Sequence, residues 1–365
     1  MAEFINTKKE IAWGDWYFRN HVLSDDFNYR VHKKELSPYY QKRGFSVSMM
    51  YDDYFSRFTG VRSDRYMSMD LYYFYVLPCL NRFDFKNAYT DKNMYETLFR
   101  GVRQPETVVK CMNGLFFDSD GAGISRADAI RLVEAECGKC IIKPTIETCN
   151  GDGVALLRSD EVAEQFQQHG TDFICQRAVE QHAEMAKLNS SSLNTLRVFT
   201  YRDLDRRIRV LPGMTFVRVG GKGSVKDNGS SGGFLAGVAD ERGAIKGWCC
   251  KFKQSMPYAL QECLGFAGFT IPAFEAVYPF VEALHVRVPY FDLIGWDVAI
   301  DVSGHPVFIE MNVEPSVEGP QLTQGVVFGS LLDEVMDRVS CVRKEKKLFS
   351  VSHFRPGFDY RLAII

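Results

Sequence analysis

The sequence predicts an α+β fold that is preceded by a mainly helical N-terminal region, and three features of the chain support this prediction. Residues 1–88 are rich in aromatic and charged residues, contain few glycines and show no alternation of strands with helices. Strand-like apolar runs dominate the chain from about residue 190 onward. Hairpin signals such as Asn113-Gly114 favour antiparallel pairing. We therefore expect four parts, which span residues 1–88, 89–185, 186–342 and 343–365.

The composition limits the classes of protein to which the chain can belong. With 365 residues, of which 46% are hydrophobic, the chain is long enough for two or three domains with a large core. The 44 basic and 46 acidic residues nearly cancel, so the net charge of -2 gives no reason to expect binding to nucleic acid or to an anionic membrane. The chain has no membrane-spanning apolar run and no secretory signal, and we therefore expect a cytoplasmic protein with reduced cysteines.

The elements of the first half follow from apolar spacing and from capping residues. The stretches DDYFSRF and MDLYYFYVLPCLNRF have the spacing of helices that bury aromatic faces. TDKNMYETLFRG is typical of a helix that is capped by Thr90 or Asp91 and ended by Gly101. SRADAIRLVEAEC predicts an amphipathic helix with Ser125 as its N-cap, and a helix over 159–169 precedes the strand DFICQRAV.

The stretch KCIIKPTIETCNGDGVALL, residues 139–157, has two interpretations. A strand-like run ends at Lys143-Pro144, a polar loop with Gly151 and Gly153 follows, and the chain then becomes apolar again. In a phosphate site, Lys143 would neutralise charge while backbone N–H groups and Thr148 of the loop cover the phosphates. The alternative is an ordinary hairpin, because a Gly-x-Gly loop alone is weak evidence.

Cys137 and Cys140 form a single Cys-x-x-Cys motif in front of this strand. The motif could be half of a zinc site or a redox pair, but no second motif completes a tetrahedral site. The other interpretation is two small residues packed beside a strand.

The second half of the chain is predicted to be mostly strands. The strand-like segments are TLRVFTYR, IRVLPGMTFVRVG, LIGWDVAID and HPVFIEMNV. Between the second and third of them lies a glycine-rich segment, residues 220–233. Helices over about 273–286 and 325–342 are expected to cover the sheet.

The segment GWDVAIDVSGHPVFIEMNVEPS predicts a hairpin that carries carboxylates. If the hairpin is symmetric about Ser303-Gly304, Asp297 lies directly opposite Glu310, with Cβ atoms about 5 Å apart. Asn312 shares the face of Glu310, since side chains alternate along a strand. The apolar residues Val307, Ile309, Met311 and Val313 take the other face.

Two opposed carboxylates repel each other unless a cation or a shared proton relieves the repulsion. Asp297, Glu310 and Asn312 form an all-oxygen set, which suits Mg²⁺ that shares its remaining positions with phosphates. The alternative is a solvated face of an edge hairpin. A shift of one residue in register would remove the argument.

The order of these motifs resembles the ATP-grasp superfamily over residues 89–340. The resemblance rests on Asp91-Lys92, on Ile142-Lys143-Pro144 with its glycine loop, on FICQRAVEQH, and on the Asp and Glu-x-Asn ends of the hairpin. NRFDFKNAYTDKNMY, SLNTLRVFTYR and DNGSSGG followed by GVADERG are similar, more narrowly, to the ATP-grasp group associated with sugar transfer in polysaccharide clusters.

The resemblance implies an ATP-grasp fold, in which two α+β subdomains clasp ATP. Residues 89–185 would form the small or lid subdomain, and residues 186–342 the large subdomain with the metal site. The superfamily motifs do not cover residues 1–80, and the usual Rossmann-like first domain is not evident in them.

The resemblance also implies roles for individual residues. Lys92 and Lys143 would hold phosphates under the loop that contains Thr148, Gly151 and Gly153. Asp297, Glu310 and Asn312 would carry two Mg²⁺ ions, and Arg197 or Arg218 would brace the transferred phosphate. The backbone of Gln176, Arg177, Ala178 and Val179 would line adenine, and Glu180 would contact the ribose. Arg177 stands where this group would place an acidic residue.

The implied activity is an ATP-dependent carboxylate–amine ligase that forms an acyl phosphate and releases ADP and phosphate. Such a site needs no side-chain nucleophile, which fits a chain without an evident Ser-His-Asp or Cys-His arrangement. A small-molecule kinase that uses the same ATP and Mg²⁺ site, and a nucleotide-binding regulatory protein without chemistry, remain alternatives.

The substrates are expected to be small, polar and anionic, for example an amino acid or an acidic sugar. Candidate contacts are Lys226, Asn228 and Ser230 in the glycine-rich segment, Asn194 before a strand, and Ser316 near a helix start, where backbone N–H groups suit a carboxylate.

We predict that loop 147–153 is a lid that becomes ordered when nucleotide binds. Gly151 and Gly153 free its backbone, and its polar residues favour turns. Amide hydrogen exchange over residues 145–154 should be fast in the free protein and clearly slower with an ATP analogue and Mg²⁺. Slow exchange that nucleotide does not change would identify a rigid structural turn instead.

Overall fold

The computed structural model describes residues 5–29, 35–146, 153–221, 223 and 232–344. Within these ranges the N-terminal region is helical, as predicted. Its helix α1 begins at a capping box, in which Thr7 Oγ1 accepts from the Glu10 N–H and Glu10 accepts from the Thr7 N–H. The α-helices are Lys8–His21 (α1), Pro38–Gln41 (α2), Met50–Thr59 (α3), Met69–Leu71 (α4), Leu77–Leu80 (α5), Lys86–Thr90 (α6) and Tyr95–Leu98 (α7).

The predicted helix at TDKNMYETLFRG is shorter than expected. A 3-10 turn, Lys92–Met94, precedes α7, and the Asp91 side chain caps that turn by accepting from the Asn93 N–H. A π-helical segment, Tyr72–Val76, links α4 to α5, and a second 3-10 turn spans Phe83–Phe85.

A small antiparallel sheet follows the helical region. Its strands are Thr107–Met112 (β1), Leu115–Phe117 (β2), Gly123–Ile124 (β3), Cys140–Pro144 (β4), Ala155–Leu156 (β5) and Phe173–Arg177 (β6), in the order β3-β2-β1-β6-β4-β5. The helices Arg126–Ala135 (α8) and Val162–His169 (α9) pack on one face of it, where they bury residues such as Cys140, Ile142 and Cys175. Cys140 is thus a packing residue of the core.

The large sheet is also antiparallel. Its strands are Thr195–Arg202 (β7), Ile208–Val210 (β8), Phe216–Val219 (β9), Phe234–Gly237 (β10), Leu293–Ile300 (β13) and Pro306–Asn312 (β14), in the order β10-β9-β7-β13-β14 with β8 on β7. Trp248–Cys249 (β11) and Tyr258–Ala259 (β12) form a separate pair. The remaining helices are Ala183–Ala186 (α10), Leu260–Leu264 (α11), Val277–His285 (α12), Glu318–Thr323 (α13) and Leu332–Lys344 (α14).

The two faces of the large sheet have different neighbours. Leu196, Val198 and Trp296 point to one core, which α12 helps to cover. Phe199 and Leu293 point to the opposite core, which consists largely of aromatic residues from the N-terminal region. The N-terminal region is therefore built onto the large sheet. No helix in the described part of the chain is long and apolar enough to cross a membrane.

The hairpin of β13 and β14 confirms the predicted pair of Asp297 and Glu310. Between Asp297 and Val298 the register shifts by one residue, so Val298 lies opposite Phe308. Simple alternation places Ile309 on the face opposite Glu310, but with this shift Phe308 takes that place in the core, fully buried, and Ile309 is only partly buried. The turn is longer than two residues, and the Asp301 carboxylate accepts from the N–H groups of Ser303 and His305.

Candidate functional site

One end of the sheet face that meets the N-terminal region is charged. Arg197 lies opposite Asp297, which lies opposite Glu310, while Gly295 lies opposite Asn312. Directly paired residues point to the same side of a sheet, so these side chains share one face. Arg218 on β9 lies opposite Thr195 on β7 and belongs to the same face. The sheet therefore brings five of the predicted site residues together: Arg197, Arg218, Asp297, Glu310 and Asn312.

Asp297 is the most strongly paired carboxylate of the site. Its Oδ1 accepts from Arg197 Nε at 2.5 Å and its Oδ2 accepts from Arg197 Nη2 at 3.0 Å, which is a bidentate ion pair. Arg218 Nη1 also donates to Oδ2, at 2.9 Å. Burial raises the pKa of Asp297, but the two guanidinium groups outweigh burial and hold that pKa below its usual value.

Glu310 is more exposed and pairs with a different cation. The Lys92 Nζ lies 2.9 Å from Glu310 Oε1. The backbone N–H of Lys92 donates to Thr145 O at 3.1 Å, just beyond the end of β4. Lys92 therefore connects the small sheet to the carboxylate hairpin of the large sheet.

Lys143 is fixed in β4 and its side chain is buried. Lys143 lies opposite Ile174, on the face of the small sheet that α8 and α9 do not cover. Burial, together with the nearby Lys92, lowers the pKa of Lys143 to about 8, although Glu310 opposes the shift. A nearby anion would stabilise the protonated form of this buried ammonium group and raise its pKa.

The charges of the site favour an anion that carries several charges. Four cations, Lys92, Lys143, Arg197 and Arg218, face two carboxylates, Asp297 and Glu310. These six side chains sum to two positive charges when all are ionised. A polyphosphate, alone or with a divalent cation, would compensate them.

Two of the three predicted metal ligands, Glu310 and Asn312, each keep an oxygen atom that a hard cation would bind. Asn312 directs its amide nitrogen to Gly295 O at 3.3 Å and to Asp297 Oδ2 at 3.4 Å, so its carbonyl oxygen is the atom able to ligate. Glu310 engages Lys92 through one oxygen. Asp297 would have to share an oxygen between a metal and a guanidinium, which the lone pairs of a carboxylate allow.

The structure explains the arginine at position 177. Arg177 lies opposite Cys140, so its side chain points to the face of the small sheet that α8 covers. Its guanidinium pairs there with Glu136 and Glu106. Gln176, on the opposite face with Ile141, is buried, and its Oε1 has no hydrogen-bond partner among the described residues. The departure at Arg177 therefore lies away from the site.

The predicted hinge after Gln176 is partly engaged within the protein. The N–H of Arg177 donates to Glu106 O and that of Ala178 donates to Lys139 O. Val179 is partly buried and Glu180 is exposed. The carbonyl of Glu180 accepts from the Val302 N–H in the turn of the hairpin. This contact joins the hinge to the large sheet.

Other predicted residues lie outside the described ranges or in different surroundings. Thr148, Gly151, Lys226, Asn228 and Ser230 lie outside the described residues. Gly153 has a φ of +77° and a Cβ there would lie 2.8 Å from Pro144, so only glycine fits. The partly buried Ser316 donates to the buried carboxyl of Glu318.

Asn194, predicted as a substrate contact, is fully buried just before β7. Its amide nitrogen donates to Gln181 Oε1, Met185 O and Asn189 O. Asn189 in turn donates to the carbonyls of Gly220 and Gly221. Asn194 therefore holds the turn that anchors the start of the glycine-rich segment.

Within the described part of the chain, no group of three or more His, Cys, Asp and Glu side chains is placed to hold a metal. The interpretation of Cys137 and Cys140 as half of a zinc site consequently has no support among these residues. The set at the hairpin differs in kind, because it combines two carboxylates with an amide.

Four site residues were missed in the sequence. Asn81, Tyr72 and Lys86 of the N-terminal region contact the backbone or side chains just after β14, and Glu318 is buried beside Tyr73. These contacts join residues more than 200 positions apart in the chain, and no local pattern predicts them.

Comparison with known proteins gives one family. The family described as "Sugar-transfer associated ATP-grasp" matches residues 76–337. No curated protein is similar to the chain at a significant level.

Several solved structures are similar to the chain at low identity. The ATP-grasp ligase PsnB, complexed with minimal precursor, Mg and ADP, has 14% identity and a TM-score of 0.39, over 69% of this chain and 59% of its own. The biotin carboxylase domain of Hydrogenobacter thermophilus 2-oxoglutarate carboxylase has 11% identity and a TM-score of 0.44, over 76% of this chain and 50% of its own. The VanG D-Ala:D-Ser ligase from Enterococcus faecalis has 14% identity and a TM-score of 0.40, over 68% and 61%. The match thus spans less than two thirds of each of these three proteins.

We predict that Arg177→Ala leaves nucleotide affinity unchanged, because Arg177 faces α8. Isothermal titration with ADP and Mg²⁺ should give the same dissociation constant as for the wild-type protein. Lys143→Met, on the opposite face, should weaken binding. A clear loss of affinity in Arg177→Ala would contradict the assignment of the two sheet faces.

Proposed function

Because the chain belongs to the sugar-transfer associated ATP-grasp family, we propose that it is an ATP- and Mg²⁺-dependent carboxylate–amine ligase. One observation carries the proposal: Asp297 and Glu310 lie opposite each other on a face that also carries Arg197 and Arg218, with Lys92 reaching Glu310. Two opposed carboxylates with four cations around them, Lys143 included, suit a polyphosphate that carries a metal ion better than they suit a metal ion alone or a polyphosphate alone.

Glu310 and Asn312 would hold Mg²⁺, with Asp297 as the third ligand, and Lys92 and Lys143 would hold the nucleotide phosphates. When bound, Mg²⁺ would supply Lewis-acid stabilisation of the phosphate oxygens. The cationic side chains are already oriented by ion pairs, so they need little rearrangement when charge develops on the transferred phosphate.

The proposed reaction has two steps. A substrate carboxylate attacks the γ-phosphorus, the bond to the β-phosphate oxygen breaks, and ADP leaves while an acyl phosphate remains. Arg197 and Arg218, which pair with Asp297, would bind the acyl phosphate. An amine then attacks the acyl carbon, phosphate leaves, and the amine loses a proton as the amide forms. Loop 147–153 would exclude water from the acyl phosphate.

The carboxylate substrate is proposed to bind near Ser316 and the glycine-rich segment with Lys226, Asn228 and Ser230. The partly buried Ser316 lies in the segment that follows Asn312, next to the metal ligands. An amino acid or an acidic sugar remains the substrate class that these groups fit, and the acceptor would be a sugar or a peptide.

We predict Mg²⁺-dependent cleavage of ATP to ADP and phosphate that requires both a carboxylate and an amine. A panel of amino acids and sugar acids, paired with amines and assayed for both nucleotide products, checks this. Hydroxylamine should replace the amine and yield a hydroxamate, which a kinase would not form. Release of AMP and pyrophosphate would show an adenylating enzyme and overturn the proposal.

Glu310→Gln should reduce the rate of ATP cleavage by at least about two orders of magnitude, since loss of one group that stabilises transition-state charge commonly costs ~2.7–4 kcal/mol. Asp297→Asn should have a similar effect. The control is Glu184→Gln, because Glu184 likewise pairs with a lysine, Lys187, but both side chains of that pair are exposed. If the Glu310 and Asp297 variants turn over at the wild-type rate with normal Mg²⁺ dependence, the metal site lies elsewhere.

Nucleotide binding should take up protons near pH 8. Lys143 has a pKa of about 8 in the free protein, so it loses charge as the pH rises through this value. Bound phosphate favours the charged form and raises the pKa, so about half a proton should be taken up at pH 8 and little at pH 6.5. Titration calorimetry of ADP in two buffers of different ionisation enthalpy measures the uptake. Lys143→Met should abolish it, and a wild-type uptake that persists in this variant would assign the proton to another group.

A further inference from the structure

We propose that Asn81, in the N-terminal region, is a positioning residue for the metal-ligating end of the β13–β14 hairpin. The inference rests on the proposed function, because it concerns the same hairpin, and it assigns to the N-terminal region a part in the site. Asn81 directly follows α5 and is 3% exposed. Its role follows from four hydrogen bonds of its side-chain amide.

The side-chain amide of Asn81 links the two strands where their backbone pairing ends. The last ladder pair of the hairpin on this side is Gly295 with Asn312. Beyond that pair, Asn81 Nδ2 donates to Leu293 O at 2.7 Å and to Val313 O at 2.6 Å, one carbonyl on each strand. One amide group therefore ties the two strand ends together where direct pairing stops.

The carbonyl oxygen of the Asn81 amide also forms two hydrogen bonds. Asn81 Oδ1 accepts from the backbone N–H groups of Asp292 and Leu293, both at 2.9 Å. With both hydrogens and the oxygen used, and with the group buried, rotation of the amide would leave several polar groups unpaired. The amide is thus a fixed point on the sheet.

The held carbonyl is next to a proposed metal ligand. Val313 directly follows Asn312, whose backbone is thereby fixed on one side by the ladder pair with Gly295 and on the other by Asn81. Asn312 in turn keeps its side chain close to Asp297 Oδ2. Fixing both sides of Asn312 fixes the direction of its carbonyl oxygen and, through the strand, that of Glu310.

The N-terminal region contacts the next two residues as well. Lys86 pairs with the carboxylate of Glu314, and both side chains are buried. The Tyr72 hydroxyl donates to Pro315 O. Three successive residues after Asn312 are therefore held by this region, and Asn81 makes the contact nearest to the ligands.

The test compares Asn81→Ser with a matched control, Asn6→Ser. Asn6 is also 3% exposed and uses its side-chain amide fully, donating to Ser46 O and Asp70 and accepting from the Ser46 N–H. It lies in the same region but does not contact the hairpin through these bonds. Equal decreases in melting temperature would show that the two substitutions destabilise the fold to the same extent.

Two readouts separate positioning from general stability. In the free protein, amide hydrogen exchange of the segment 311–316 should be faster in Asn81→Ser than in the wild-type protein and in Asn6→Ser. With ADP present, the dissociation constant for Mn²⁺, measured by electron paramagnetic resonance, should rise about tenfold in Asn81→Ser, the loss expected when a group that orients metal ligands is removed. Affinity for ADP without metal should be unchanged.

If Asn81→Ser does not fold, Asn81→Asp replaces it, because aspartate keeps the acceptor for Asp292 and Leu293 and loses the donor to Val313. Wild-type exchange and Mn²⁺ affinity in a folded variant would overturn the inference. Equal changes in Asn6→Ser would also overturn it. The exchange readout requires no activity, so its failure is distinct from a wild-type protein that does not cleave ATP, which would instead contradict the proposed function.

Discussion

The pairing of the buried Asp297 carboxylate with Arg197 and Arg218 is the constraint on which the rest of the site depends. A buried charge without partners is costly, and removing one partner of such a pair commonly destabilises a protein by about 3–5 kcal/mol. Asp297 lies on β13, Arg197 on β7 and Arg218 on β9, so the ion pairs require these three strands to keep one register. The pairing of β14 with β13 then places Glu310 and Asn312 on the same face.

The second constraint comes from the helical N-terminal region. The face of the large sheet that carries the site is apolar at its other end, where it packs on aromatic residues of the N-terminal region. The same region reaches the end of β14 through Asn81, Lys86 and Tyr72. Residues of the helical N-terminal region thus belong to the scaffold of the site.

The sequence was sufficient for local features and for one long hairpin, and insufficient for distant contacts. The pairing of Asp297 with Glu310 follows from the alternation of side chains and from a turn signal. The bulge beside Asp297 nevertheless puts Phe308 rather than Ile309 in the core, and no residue pattern predicts this bulge. No local pattern shows that Asn194 is fully buried or that its amide nitrogen donates to the backbone carbonyls of Met185 and Asn189. The position of Arg177 needed the pairing of β4 with β6, which depends on packing across the small sheet.

Anomalous diffraction from Mn²⁺ in crystals grown with ADP tests the central claim most directly, because it locates the metal without reference to any substrate. The account predicts at least one anomalous peak within about 2.5 Å of a Glu310 carboxylate oxygen and the Asn312 carbonyl oxygen, with the ADP phosphates beside Lys92 and Lys143. Nucleotide bound elsewhere, or Mn²⁺ that contacts only phosphates and water while Glu310 stays paired with Lys92, would contradict it.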